Sequence, residues 1–256
     1  MGYRPGNHLL ANLHPEDLHL LAPHLLEVQL DARQGLQRVN EPIRHIYFLE
    51  SGLASAVAQA GGAPIEVGLV GREGMTGLPV ILGDDCSPLE VFVQISGFAW
   101  RIDAQAMNRA MAHSLTLRAY LLRFAQAFMT QTALTALANG RSNVEPRLAR
   151  WLLMAQDRLE GEEILITHEF LALILGVRRA GITVALHDLE RAGLVHTQRG
   201  MIQVRDRAGL IRRAEGIYGA AESEYKRLIG WAPIAERAEM PVPVLREVEI
   251  RVAGHD

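Results

Sequence analysis

The chain has 256 residues, enough for one large domain or two ordinary ones. Its 49% hydrophobic content excludes a disordered protein, and its formal net charge of −3 confines any basic surface to a local patch. The single cysteine, Cys86, excludes a disulfide framework within the chain and a thiolate-ligated cluster, and it fits a reducing compartment. No charged-then-apolar leader and no apolar run near ~20 residues are present, which predicts a cytoplasmic protein with no membrane partner.

In chain order, residues 1–30 read as helical, with Pro15, Glu16 and Asp17 as a first turn and Leu18, Leu21, Leu25 and Leu26 at helical spacing. His8, His14, His19 and His24 are spread along this stretch and are expected at the surface. From about 31 to 102 the texture changes to short apolar runs divided by glycines and turn residues, such as "IYFLESG", "LASAVAQA" and "LEVFVQISG". That pattern predicts an all-β sandwich or small barrel. Helical spacing returns with "DAQAMNRAMAH" and then a long helix from about Leu115 to Ala138. On it Leu117, Leu121, Phe124 and Phe128 form one stripe, either packed on the chain's own β-region or serving as a two-helix dimer seam. "ANGRSNVEP" (138–146) has the composition of a hinge, "PRLARWLLMAQDRL" opens a second helical unit, and the proline-rich tail from 231 reads as irregular.

The stretch "THEFLALILGVRRAGITVALHDLE" carries the clearest chemistry. Thr167 suits an N-cap and Glu169 a first turn. Ala172, then Gly176 four residues on, then Ile182 six after that, fit a helix-turn-helix: a small residue for close approach, a glycine for the left-handed turn, an aliphatic seal. Arg178 and Arg179 then fall at the start of the second helix, where side chains reach base edges in the major groove. An arginine fork matches the two acceptors of guanine or grips phosphate. Arginine is unfavourable at the positive end of a helix, so two together point to an external anion. "AGLVHTQRGMIQV" follows as a hairpin turning at Arg199-Gly200. The combination is a winged helix, with Arg199 placed to meet the phosphate backbone.

The "THEFLALILGVRRAGITVALHDLERAGLV" and "VGLVGREGMTGLPVILG" segments, with the β-region, long helix, hinge and winged helix, resemble the Crp/Fnr family of bacterial transcription regulators over about residues 10–230. The resemblance implies an α+β chain. It would have an N-terminal β jelly roll of the cyclic-nucleotide-binding type (1–114), a central dimerisation helix with hinge (115–140), a C-terminal winged helix-turn-helix (141–230) and an irregular tail (231–256). It implies a homodimer on palindromic double-stranded promoter DNA, through Leu117, Leu121, Phe124 and Phe128, and it admits RNA polymerase as a further partner. Carried over residue by residue, the DNA-reading positions are Arg178, Arg179, Ala180, Thr183 and Val184, with His187 further along.

The effector site departs from that pattern. Nucleotide-binding members place a glycine–glutamate pair for the ribose and an arginine–serine pair about ten residues on for the cyclic phosphate. Here Gly77 is followed by Leu78, Pro88 stands about where the arginine belongs, and no arginine lies between Arg72 and Arg101. Asp84 and Asp85 would repel a phosphate. The expectation is a degenerate pocket that does not take cyclic AMP, with a sensor of another small molecule as the alternative. Cys86 is either a redox-responsive thiol or a small loop residue. A jelly-roll metalloenzyme with an accessory winged helix is the reading from another class. It would need a His-x-His pair with a nearby acid, and the β-region has only His45. "GLVGREGMTG" lacks the lysine of a phosphate-binding loop, and no nucleophile–base pair is assignable, so no enzyme activity and no cofactor is expected.

Overall fold

In the computed structural model, residues 5–230 other than 60, 62 and 63 are described; the expected irregular tail at 231–256 lies outside the described residues. Asn7 caps helix α1 (His8–Ala11) by accepting the Leu9 and Leu10 N–H groups. Helix α2 (Pro15–Leu21) opens on the expected Pro15–Glu16–Asp17 turn. The helix does not run on to residue 30. Pro23 sits in a 3₁₀ turn (Ala22–His24), and strand β1 (Leu26–Leu30) follows. Leu26, Val28 and Leu30 alternate at the period of a strand, and this local pattern overrides the leucine spacing carried over from α2. His8 is buried rather than at the surface.

The β-region contains β2 (Gly35–Gln37), β3 (His45–Leu49), β4 (Leu53–Ala58), β5 (Ile65–Val70), β6 (Glu90–Ile95) and β7 (Gly97–Asp103). They pair antiparallel with β1 into two sheets, ordered β1-β7-β3 and β2-β6-β4-β5. Leu30, Leu49 and Ala99 from the first sheet join Ala54, Val70, Val91 and Val93 from the second in one buried cluster, so the sheets face each other across an apolar core. A short helix, α3 (Leu78–Leu82), interrupts the strands between β5 and β6. It was not legible as a helix because it spans barely more than one turn, bounded by left-handed Gly77 and Gly83 (φ 77° and 94°).

Helices α4 (Ala104–His113) and α5 (Leu115–Arg141) are capped by Asp103 and Ser114. On α5, Leu117, Leu121 and Phe124 are buried inside their own chain, and Phe128 is half-buried beside them. Of the two readings of this stripe, packing on the chain's own core is the one the fold realises. Gln131 anchors the same face: its side chain accepts from the Leu69 N–H (2.7 Å) and donates to the Leu69 carbonyl (3.1 Å) on edge strand β5.

The helix continues through Gly140 to Arg141, and α6 (Val144–Arg158) begins after only Ser142 and Asn143. The expected nine-residue hinge is therefore two residues wide. Pro146 does not break α6, because its missing N–H falls in the first turn where no intrahelical acceptor exists. Strand β8 (Glu163–Leu165), α7 (His168–Ile174), α8 (Arg179–Arg191), β9 (Val195–Gln198), β10 (Met201–Val204), α9 (Arg207–Arg213) and α10 (Ala220–Ile229) complete the chain. Helix α10 returns to pack on α5, where Tyr225 and Ile229 join the cluster that holds Phe124.

The two halves share a continuous interface. Leu53 and Leu69 of the β-region belong to the same buried cluster as Trp151 and Leu171 of the C-terminal half. The Trp151 indole N–H donates to Glu66 (2.9 Å), and the buried Arg158 pairs with the buried Glu73 (2.7 Å).

Candidate nucleic-acid interface

Helix α7 starts at Thr167, whose hydroxyl accepts the Phe170 N–H (3.2 Å), with Glu169 in the first turn. Gly176 takes φ 61°, and the Val177 N–H returns to the Ala172 carbonyl (2.9 Å) to close the turn. The chain then enters α8 at an angle of 111° to α7, within the range of helix-turn-helix pairs. Ala172 and Ile182 are buried in one cluster with Ala185 and Leu186, as the Ala–Gly–Ile spacing requires. Arg178 is the N-cap rather than the first helical residue, so α8 begins one position later than the sequence reading placed it.

Arg178, Arg179, Ala180, Thr183, Val184 and His187 are all exposed, and from Arg179 onward they share one face of α8. Arg179 to His187 covers about 12 Å of helix, comparable with the width of the major groove. Neither Arg178 nor Arg179 forms an ion pair among the described residues, whereas Arg191 at the far end is held by Asp188 (3.1 Å). Val184, 61% exposed, is an apolar side chain left in water on that face. The Thr183 hydroxyl donates to the Arg179 carbonyl (3.2 Å) and lies 3.3 Å from His168 Nδ1. His168 thus belongs to the same surface, a neighbour that its position in α7 did not reveal.

The wing is a three-stranded sheet ordered β8-β10-β9, with β8 an addition to the expected hairpin. Gly200 (φ 77°) makes the turn and leaves Arg199 exposed at the tip. Glu190 of α8 accepts both the backbone N–H and the hydroxyl of Thr197 (2.8 Å each), fixing wing to helix. The backbone N–H of Thr197 is the main cause holding the Glu190 carboxyl below its usual range.

In the β-region, Gly77 and Leu78 line a cavity of about 220 Å3. Pro88 is exposed and stands outside it; its neighbours Ser87 and Leu89 line the wall instead. None of the described residues lining the cavity is charged. Arg72 is drawn away to Glu160 (2.9 Å), and Arg101 lies on β7 in the opposite sheet. The Cys86 thiol lies 3.3 Å from Asp85, and that hydrogen bond pushes its pKa up, against a reactive thiolate. Among the described residues no three His, Cys, Asp or Glu side chains gather as metal ligands would. No single helix among them is long and apolar enough to cross a membrane.

Residues 146–213 match the Crp-like helix-turn-helix domain family. The C-terminal half carries a Crp-like helix-turn-helix domain. No curated protein matches the chain. Solved structures extend the likeness beyond the Crp-like domain to the whole arrangement. FixK2 from Bradyrhizobium japonicum superposes with a TM-score of 0.65 at 16% identity, covering 74% of this chain and 96% of its own. A CRP-family transcriptional regulator from Thermus thermophilus gives 0.61 at 21% identity, over 75% and 99%. The c-di-GMP-responsive global regulator CLP of Xanthomonas campestris gives 0.59 at 17%, over 75% and 99%. The fold is that of the Crp/Fnr regulators: an N-terminal sheet domain, a long helix and the Crp-like domain.

Proposed function

We propose that this protein is a homodimeric, sequence-specific DNA-binding transcription regulator of the Crp/Fnr type, working in the cytoplasm and not as an enzyme. The observation that carries the reading is the outer face of α8: two arginines without ion partners among the described residues at the helix start, polar and apolar side chains over the next two turns, and an arginine at the tip of the adjoining wing. Arg178 and Arg179 meet guanine or phosphate, Ala180, Thr183, Val184 and His187 read along the groove, and Arg199 meets the backbone. Residues up to 114 form the effector unit, and residues from Val144 to 230 form the DNA-binding unit. RNA polymerase is a further partner under this reading.

The dimer seam moves to the other side of α5. Leu115, Ala119, Leu122, Gln126, Met129, Ala133, Ala136 and Gly140 are all exposed and alternate in steps of four and three. That is the 3.5-residue repeat of a two-helix seam, and its small residues admit close approach. The inward stripe of Leu117, Leu121 and Phe124 is spent on the chain's own core, so it supports the seam helix rather than forming the seam.

The effector is not cyclic AMP. A buried phosphate needs a charged partner, and the cavity at Gly77 and Leu78 has none among the described residues. Selection from random duplex DNA by gel shift tests the main reading: recovery of a palindromic site supports it, and uniform, weak, salt-sensitive binding to every sequence overturns it. Transcription from a promoter carrying the selected site tests the partnership with polymerase.

A further inference from the structure

The geometry points to a binding site for one small, neutral, largely apolar molecule in the cavity at Gly77–Leu78, with Phe128 as the movable wall that carries occupancy to α10. The link to DNA rests on the regulator reading above; the binding site itself does not.

The floor of the cavity is the inner face of the second sheet, at Ala56, Val70 and Val91, and Leu78 forms part of its rim. Its three polar lining groups are already engaged on one side. Thr76 accepts the Tyr47 N–H (3.2 Å), Ser87 accepts the Leu89 N–H (3.0 Å), and the Gln37 amide donates to the Leu89 carbonyl (3.0 Å). What remains for a ligand is two hydroxyl protons, the second N–H of the Gln37 amide and its carbonyl oxygen. Those satisfy a single alcohol, carbonyl or amide. They cannot offset a full negative charge, for which no cation among the described residues lines the wall. An apolar cavity of 150 Å3 holds benzene; 220 Å3 therefore admits a ligand of roughly 8–12 heavy atoms.

Phe128 lines this cavity and also a second, much smaller one of about 20 Å3 beneath α10, where Phe124, Ala221 and Tyr225 meet. Its ring lies flush against β5: a Cβ placed on Gly68 would come within 2.4 Å of its Cζ. Displaced by a ligand, the ring cannot move toward β5. Displaced toward α10, it would press on Phe124 (ring centroids 6.4 Å apart), which in turn meets the Tyr225 ring of α10 (6.5 Å). Helix α10 directly follows the winged helix, so the cavity and the DNA-binding half share one row of aromatic side chains.

Calorimetry on the full chain with 1-octanol and with octanoate tests the site, because the two probes share a chain and differ in charge. The expected result is one octanol per protomer, with octanoate at least about tenfold weaker, a difference of ~1.4 kcal/mol. Ala56→Phe, which fills the floor, should abolish octanol binding. Should that variant fail to fold, Leu78→Trp at the half-buried rim gives the same reading. No octanol binding at millimolar concentration, equal or tighter octanoate binding, or octanol binding unchanged in either filled variant overturns the proposal. Phe128→Ala should keep octanol binding while losing any octanol-dependent shift in affinity for the selected DNA site. A shift that survives in Phe128→Ala removes Phe128 from the role. Octanol binding without any selected DNA site would leave the cavity assignment standing and sink the regulator reading, and the converse result would do the reverse.

Discussion

Arginines occupy two regions of this protein and do opposite work in them. On α8 and the wing, Arg178, Arg179 and Arg199 are exposed and have no ion partner among the described residues. In the interior, Arg158 and Arg207 are held at 2.7 and 2.6 Å from Glu73 of the β-region and Asp157 of α6, carboxylates that are themselves buried. Burial decides the difference. A guanidinium in water loses little when left alone, so an unpaired one is free to meet an external anion. One taken out of water must be matched inside the chain, and its partner then depends on it. The first group is available for recognition; in the second, Arg158 holds the C-terminal half to the β-region and Arg207 ties α9 to α6.

The largest effect should come from breaking the buried group. Glu73→Ala removes the carboxylate paired with the buried Arg158, leaving it the Met154 carbonyl and the nearby charges of Glu222 and Asp157, and it should lower stability by about 3–5 kcal/mol. Urea unfolding followed by fluorescence measures it. An equally large loss from Arg179→Ala would erase the contrast between the two regions, since that side chain should change stability by no more than about 0.5 kcal/mol.

A second contrast runs along α5. Met129→Glu on the outer stripe should place like charges at the two-fold seam, costing several kcal/mol of association, and give monomers by light scattering with the thermal midpoint of the fold kept. Phe124→Glu on the inner stripe, at a residue 2% exposed, should unfold the effector half instead. A monomeric wild type at micromolar concentration would remove the seam altogether.

The helix-turn-helix was legible because its geometry is local. A cap, a small residue, a glycine and an aliphatic residue at fixed offsets determine it, and Thr167, Ala172, Gly176 and Ile182 all stand where those offsets put them. The strand texture of the β-region was legible for the same reason. What failed was non-local. Helix α5 carries two apolar stripes, and sequence spacing does not say which one the chain itself covers; the bulkier stripe turned inward because the β-region and α10 supply a surface for it. Pro88 was placed by counting along the chain, but the short α3 shifts the loop so that Ser87 and Leu89 face the cavity instead. His168 joins the recognition surface only because the 111° bend brings α7 beside Thr183.

On the recognition face the effects are smaller. Arg179→Ala should cost about 1–3 kcal/mol of specific affinity and relax one base position in each half-site, whereas Arg199→Ala should weaken all sequences alike and reduce the salt slope by about one. Gel shifts over a salt series separate the two. If both variants behave identically, recognition helix and wing are not doing different jobs.

The interface between the halves also holds a titratable group, with the gentlest expected effect. Glu66 is buried among Ser55, Trp151 and the nearby Arg150 and Arg158, and burial pushes its pKa up to about 7 despite the hydrogen bonds and positive charges that favour ionisation. Unfolded, it returns to the ordinary carboxylate range near 4.5. Between those values the folded state binds the proton and the unfolded state releases it, so stability should fall as pH rises from about 4.5 to about 7 and change little further on either side. One ionisable group can contribute at most about 1.4 kcal/mol per pH unit. Glu66→Gln keeps a carbonyl oxygen for the Trp151 indole N–H and cannot ionise. Urea unfolding of both proteins at pH 5, 6, 7 and 8 should therefore show the glutamine variant gaining on the wild type as pH rises through that window. Parallel profiles would mean that Glu66 is ionised in the fold, and that the interface tolerates its charge.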